Sequence, residues 1–171
     1  MKNALRLPLI ATALIILASA LALHAAASPA NEAGRLEATF TESTASVTNR
    51  IADLGVFQLI NTGSGTVEGF GAATVVLGAT QDRSVHPCGP GSWTNAALRR
   101  IVLDDGVLLL RELSVACPSS SGPVITGTYE VDGASSTGIF ARARGSGDLT
   151  VDVAAHTATL SGKLKLAGSD D

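Results

Sequence analysis

Aromatic side chains are scarce in this chain: one Trp, one Tyr and four Phe make up 4% of 171 residues. So few rings make a poor stacking surface for bases. With a formal charge of −3 and no basic stripe, the sequence excludes nucleic acid as a partner, and adsorption to anionic lipid has no support either. The same scarcity argues against an outer-membrane barrel, which carries aromatic girdles at both interfaces. The chain also ends in AGSDD rather than in an outward-facing apolar strand. Cysteine is limited to Cys88 and Cys117, and neither follows the apolar N-terminal run, so a lipid-anchored lipoprotein is not indicated. Convincing amphipathic helices are missing too. The one candidate, ASVTNRIADLG (45–55), puts Val47, Ile51 and Leu54 at helical spacing and is expected to be one turn or a loop closing an end of the fold.

What is present begins with an export pattern. Lys2 and Arg6 precede an apolar run from Leu7 to Leu23, followed by the small-residue stretch ALHAAASPA. That order of basic, apolar and small residues is expected of a secretory signal helix over residues 1–27, removed after Ala27 or as late as Ala30. The competing reading is a retained anchor, for which the apolar run is near the lower length limit. Cleavage would leave 141 to 144 residues, one domain of ordinary size. The charge would move from −3 to −5, because Lys2 and Arg6 leave and no acid does. The expected organisation is a flexible segment 28–35, a folded domain 36–166 and a disordered tail 167–171. The expected location is secreted or periplasmic, with no membrane association after cleavage.

Two cysteines in an exported chain point to a disulfide. Cys88 and Cys117 bracket an apparent hairpin, LRRIVLDDGVLLLRELSVA (98–116), with Asp105-Gly106 at its turn. Both ends of a hairpin lie together, so Cys117 is expected near Ala97, and the loop HPCGPGSWTN has the slack to bring Cys88 to it. The alternative is a metal pair with His86, but two Cys and one His without a fourth ligand make a poor zinc site. No metal is expected.

From Leu36 onward the chain reads as strand and turn. Leu36, Ala38 and Phe40 share a face in LEATF, VFQLI (56–60) is a second run, and GTVEGFGAATVVL (65–77) a third. After the hairpin, VITGTYEV (124–131) aligns Ile125, Gly127, Tyr129 and Val131. STGIFARARGSGDLTVDV (136–153) follows, then TATLSGKLKL (157–166) with Ala158, Leu160, Gly162, Leu164 and Leu166 facing one way. Period-two alternation separated by Gly, Asp, Ser and Pro marks half-buried antiparallel strands. The fold class expected is all-β, a small antiparallel barrel of about eight strands, and glycines in or beside long strands favour a barrel over a sandwich.

Few constellations carry chemistry. The clusters GSGTVEG and GFGAAT resemble pieces of a dinucleotide fingerprint but lead into a strand, not the helix that would hold the phosphate. Past the signal, the histidines are His86 and His156, both in loops and without a G-x-S-x-G elbow. Glu68, Glu112 and Glu130 are the acids on strands of interest, and nothing local makes two of them converge as a glycosidase would need. A lone lumenal carboxylate could serve an isomerisation. Asp148 and Asp152 lack the rest of a calcium loop. Barrels of this size either fill with side chains or hold one small molecule. In 136–153 two arrangements are open. A continuous strand sends Arg142 and Arg144 into water, whereas a bulge at Gly145–Gly147 turns Phe140, Arg142 and Arg144 into the lumen.

The segment GTYEVDGASSTGIFARARGSGDLTVDV resembles a pattern of secreted bacterial proteins in the allene oxide cyclase-like barrel class. Gly127, Tyr129 and Val131 correspond to its strand, and Gly138, Phe140, Gly145, Ser146 and Gly147 to its glycine phrase. DDGVLLLRE and GSGTVEGFGAAT are also similar to parts of it, and the likeness spans about residues 36–166. Ile139 stands where arginine is common and Arg142 where glycine is common. The resemblance implies a barrel; the plant cyclases of that class act on a fatty-acid epoxide without a cofactor, and no catalytic residue transfers to this chain. The expected role is therefore binding or structural, with a small apolar or lipid-like ligand in the barrel, candidate contacts Tyr129, Phe140, Arg142 and Arg144, and no cofactor. A cofactor-independent cyclase or isomerase, and an extracellular interaction domain, are the alternatives.

Overall fold

The computed structural model describes residues 34–51 and 54–168. The expected signal segment, residues 28–33 and the last three residues lie outside this range. Eight antiparallel strands follow one another around a closed barrel. They are β1 (Leu36–Ile51), β2 (Val56–Val67), β3 (Gly71–Asp82), β4 (Trp93–Leu103), β5 (Gly106–Cys117), β6 (Val124–Val131), β7 (Arg144–Asp152) and β8 (Thr157–Lys165). Each pairs with its successor, and β8 returns to β1 through the register Leu36↔Gly162 to Thr41↔Thr157. Only Leu36–Thr41 of β1 pair with β8, so the rest of β1, up to Ile51, projects beyond the closed ring as a hairpin with β2.

Sequence alternation is what closes it. In β3 Ala73, Val75, Leu77, Ala79 and Gln81 are buried while their neighbours are exposed. The same parity sends Leu108 and Leu110 inward on β5, and Ala158, Leu160 and Leu164 on β8. One half of the lumen, the end where β1 begins, is packed solid. Phe40, Leu36, Ile101, Leu108 and Leu110 are fully buried there, each such side chain contributing about 1.5–3 kcal/mol relative to exposure. The loop from Asp132 to Ala143 plugs this lower end. Its single 3-10 turn, Gly138–Phe140, drives Phe140 into the barrel, where the ring meets Phe70 at 5.1 Å. The Thr137 and Ile139 amides donate to Val107 and Asp105, fastening the plug to the β4–β5 turn.

Three sequence expectations change. The stretch expected as a turn or end loop, 45–55, is strand as far as Ile51, paired with β2 with register shifts between Thr44 and Ser46 and between Asn49 and Ile51. Of its described residues, Leu54 and Gly55 form the turn. Partnership with β2 outweighs the helical spacing of three apolar residues. The run 65–77 is not one strand, because Gly69 (φ 77°) and Gly71 (φ 89°) take left-handed backbone and turn the chain between β2 and β3. The stretch 136–153 is strand only from Arg144 onward, since Gly138 and Arg142, both at φ 63°, break it first. From there the ladders to β6 and β8 run without a register shift, so Gly145–Gly147 is regular strand and not a bulge. Of the segment expected to be flexible, Gly34 is tied down by a hydrogen bond from the Leu164 amide.

Candidate functional site

The upper half of the lumen, toward Val56, Trp93 and Cys117, is built differently. Inward positions that are apolar below become polar: Glu42 on β1, Asn61 on β2, Gln81 on β3, Asn95 and Arg99 on β4, Glu112 and Ser114 on β5. Arg99 is the floor of this half. Its guanidinium lies 5.9 Å from the Phe40 ring, has no exposed side-chain surface, and reaches two carboxylates. Arg99 Nε donates to Glu112 Oε1 at 2.5 Å and Nη2 to Glu112 Oε2 at 3.4 Å, while Nη1 donates to Glu42 Oε1. The carboxylates keep a little surface, 5% for Glu42 and 4% for Glu112, where Arg99 keeps none. Phe57, Leu59, Asn61, Trp93 and Ser114, which face inward, are partly exposed, whereas Gln81, Asn95 and the Arg99 cluster are buried.

Two buried acceptors here lack a donor, Glu42 Oε2 and Asn61 Oδ1. Unpaired buried polar atoms are costly and concentrate at functional places. Above them a chain of polar contacts climbs to the mouth: Ser114 Oγ accepts from Asn95 Nδ2 at 3.2 Å, and Asn95 Oδ1 accepts from Trp93 Nε1 at 3.0 Å. At the rim Arg83 sits between two rings, 4.8 Å from Phe57 and 5.0 Å from Trp93, and donates to Gln81 Oε1 at 3.1 Å. Neighbouring Asp82 accepts from the Ser84 hydroxyl and amide, which hold its carboxyl below the usual carboxylate range.

The expected Cys88–Cys117 disulfide is present, with Cα atoms 5.6 Å apart. Because β4 starts at Trp93, Cys117 lies beyond the Trp93↔Ala116 pair rather than beside Ala97. The bridge thus pins the loop carrying Arg83 to the end of β5, beside the mouth. Within that loop Ser92 Oγ donates to Gly89 O and accepts from the Cys88 amide, and His86 Nδ1 pairs with Ser92 O.

Of the residues singled out from sequence, Tyr129 and Phe140 fall in one buried cluster, and Arg142 and Arg144 lie apart from it. Phe140 is in the lower plug, and Arg142 and Arg144 are exposed outside it. Tyr129 is buried in the wall, its hydroxyl over Gly147 and Gly162, where an added Cβ on either would come within 2.6 Å of it. That hydroxyl has no hydrogen-bond partner, and burial, with Glu37 and Asp148 beyond, pushes it up to about 12. Sequence inspection missed Arg99 and Glu42 and did not pair them with Glu112. Outside the barrel, exposed Ile60, Leu98 and Leu113 border a separate groove of about 690 Å³ over Gly78. Among the described residues no group of His, Cys, Asp and Glu could hold a metal ion, and no helix is long and apolar enough to cross a membrane. In comparisons with known proteins, the chain matches no family model, no curated protein and no solved structure.

Proposed function

We propose that the protein is an exported binding protein that receives a small molecule in the upper half of its barrel. The observation that carries this is the change of lining along one lumen, from a packed apolar half to a polar half floored by the Arg99–Glu42–Glu112 cluster with open acceptors. A filled barrel would gain nothing from burying three charges, since apolar residues of similar volume usually serve stability as well or better. The export pattern at the N-terminus and the disulfide support a secreted or periplasmic location. The glycine phrase around Phe140 supports kinship with the allene oxide cyclase-like barrels. A wholly apolar ligand suits the upper half less well than one with a polar head, because its lining is mixed.

Native mass spectrometry of the protein purified from its own host tests this. A stoichiometric small molecule, lost on denaturation and absent from an Ala97→Phe variant that fills the upper lumen, is expected. A native mass equal to the denatured mass would overturn it. A second reading, cofactor-independent isomerisation, is favoured by one observation: Glu42 Oε2, buried and unpaired, is placed as an acid or base toward a bound molecule. Turnover of a reactive lipid epoxide, abolished by Glu42→Gln, is its expected outcome.

A further inference from the structure

One guanidinium faces two carboxyl groups and does not satisfy all four of their oxygens, and a buried acceptor left open is costly. The deficit is localised. Both Glu112 oxygens and Glu42 Oε1 are engaged by Arg99, and Glu42 Oε2 is left over. Asn61 Oδ1 is also open. Glu42 faces Gly63 across the β1–β2 ladder, Asn61 is the next inward residue on β2, and Gly63 puts no side chain between them. Besides the cluster, the inward ionisable groups among the described residues are Tyr129, in the lower half, and Arg83 at the rim.

The rim holds a positive charge against aromatic rings. Phe57 and Trp93 clamp a guanidinium between two ring faces, the arrangement that recognises ammonium groups. Resting on the binding function above, we propose that the upper lumen takes a small primary ammonium compound. Its N–H donors reach Glu42 Oε2 and Asn61 Oδ1, and Arg83 occupies the aromatic clamp at the entrance until the ligand displaces it. A primary ammonium brings one positive charge and three donors. A carboxylate brings acceptors and no donor for these two oxygens, and a hydrocarbon would leave both unpaired. Two oxygens are too few for calcium, which takes six to eight.

Trp93 is the only tryptophan in the chain, so its emission reports on the mouth. The disulfide-linked protein is titrated with n-butylammonium, pentan-1-ol and pentanoate, followed by Trp93 emission and calorimetry. The ammonium is expected to bind saturably and the other two not. Glu42→Gln, which keeps the shape and an acceptor for Arg99, weakens it about tenfold or more. Arg83→Ala removes the tethered competitor and tightens it about two- to fivefold. Since Arg83 is exposed at the rim, this second variant tests the proposal even where Glu42→Gln disturbs folding. Binding of pentanol or pentanoate in place of the ammonium overturns the ligand class and leaves lumenal binding standing. Ammonium binding indifferent to both substitutions overturns the assigned contacts. Silence toward all three probes overturns the ammonium proposal, and a ligand-free native mass would overturn lumenal binding with it.

Discussion

Arg99 has no exposed side-chain surface, and both of its partners are acidic. Removing it leaves two carboxylates in the barrel without a counter-charge. Arg99→Met is therefore expected to lose about 3–5 kcal/mol in urea unfolding. Replacing all three members together, Arg99→Met with Glu42→Leu and Glu112→Leu, is expected to recover most of that loss, because no charge is then stranded. A triple variant as unstable as the single one would show that the cluster holds the fold together. Tyr129 makes the opposite case. Its buried hydroxyl bonds to nothing, so Tyr129→Phe is expected to leave stability at neutral pH unchanged or raise it by about 1 kcal/mol. Folding also holds its proton more tightly than the unfolded chain does. That stabilisation is complete below the ordinary tyrosine value of 10.0 and is lost as pH rises toward about 12. The alkaline fall in melting temperature over that window should be shallower in Tyr129→Phe than in the parent.

At the scale of elements, alternation made the strands legible, and it carried further than it was followed. The face Leu36, Ala38, Phe40 continues to Glu42, the hairpin face through Ile101 contains Arg99, and Leu108 and Leu110 continue to Glu112. Each parity was readable within its own strand. That the three meet could not be read, because convergence across a lumen depends on register and stagger between strands far apart in sequence. The glycine phrase was legible as strongly shaped backbone but not as to which glycine does what. Gly138 turns into the plug, whereas Gly147 and Gly162 make room for the Tyr129 ring. Gly147→Ala would force the new Cβ against Tyr129 and the neighbouring strand, so a loss of about 1–3 kcal/mol is expected in thermal or chemical unfolding. Gly78, with nothing within 4 Å of an added Cβ, should accept alanine with little change, as a matched control.

At the scale of the whole, the described residues form a barrel with two unlike ends. One is sealed by Phe140 and its loop, and the other carries the disulfide, the aromatic clamp and the polar lining. A barrel of about eight strands was legible from the alternation, the short connections and the glycines in or beside long strands, and the structure closes eight consecutive strands. The disulfide closes a separation of 29 residues, so Cys88→Ser/Cys117→Ser is expected to cost about 3–4 kcal/mol in the chain-entropy picture, read as a lowered melting temperature that reductant no longer affects. The central claim is that the upper lumen is a place for a ligand rather than a core left polar. A high-resolution crystal structure of the protein purified from its own host tests it most directly. The account predicts density for a small molecule within hydrogen-bonding distance of Glu42 and Asn61. An upper lumen packed shut by Leu59, Leu77 and Trp93, dry and with Glu42 Oε2 paired to protein, would contradict it.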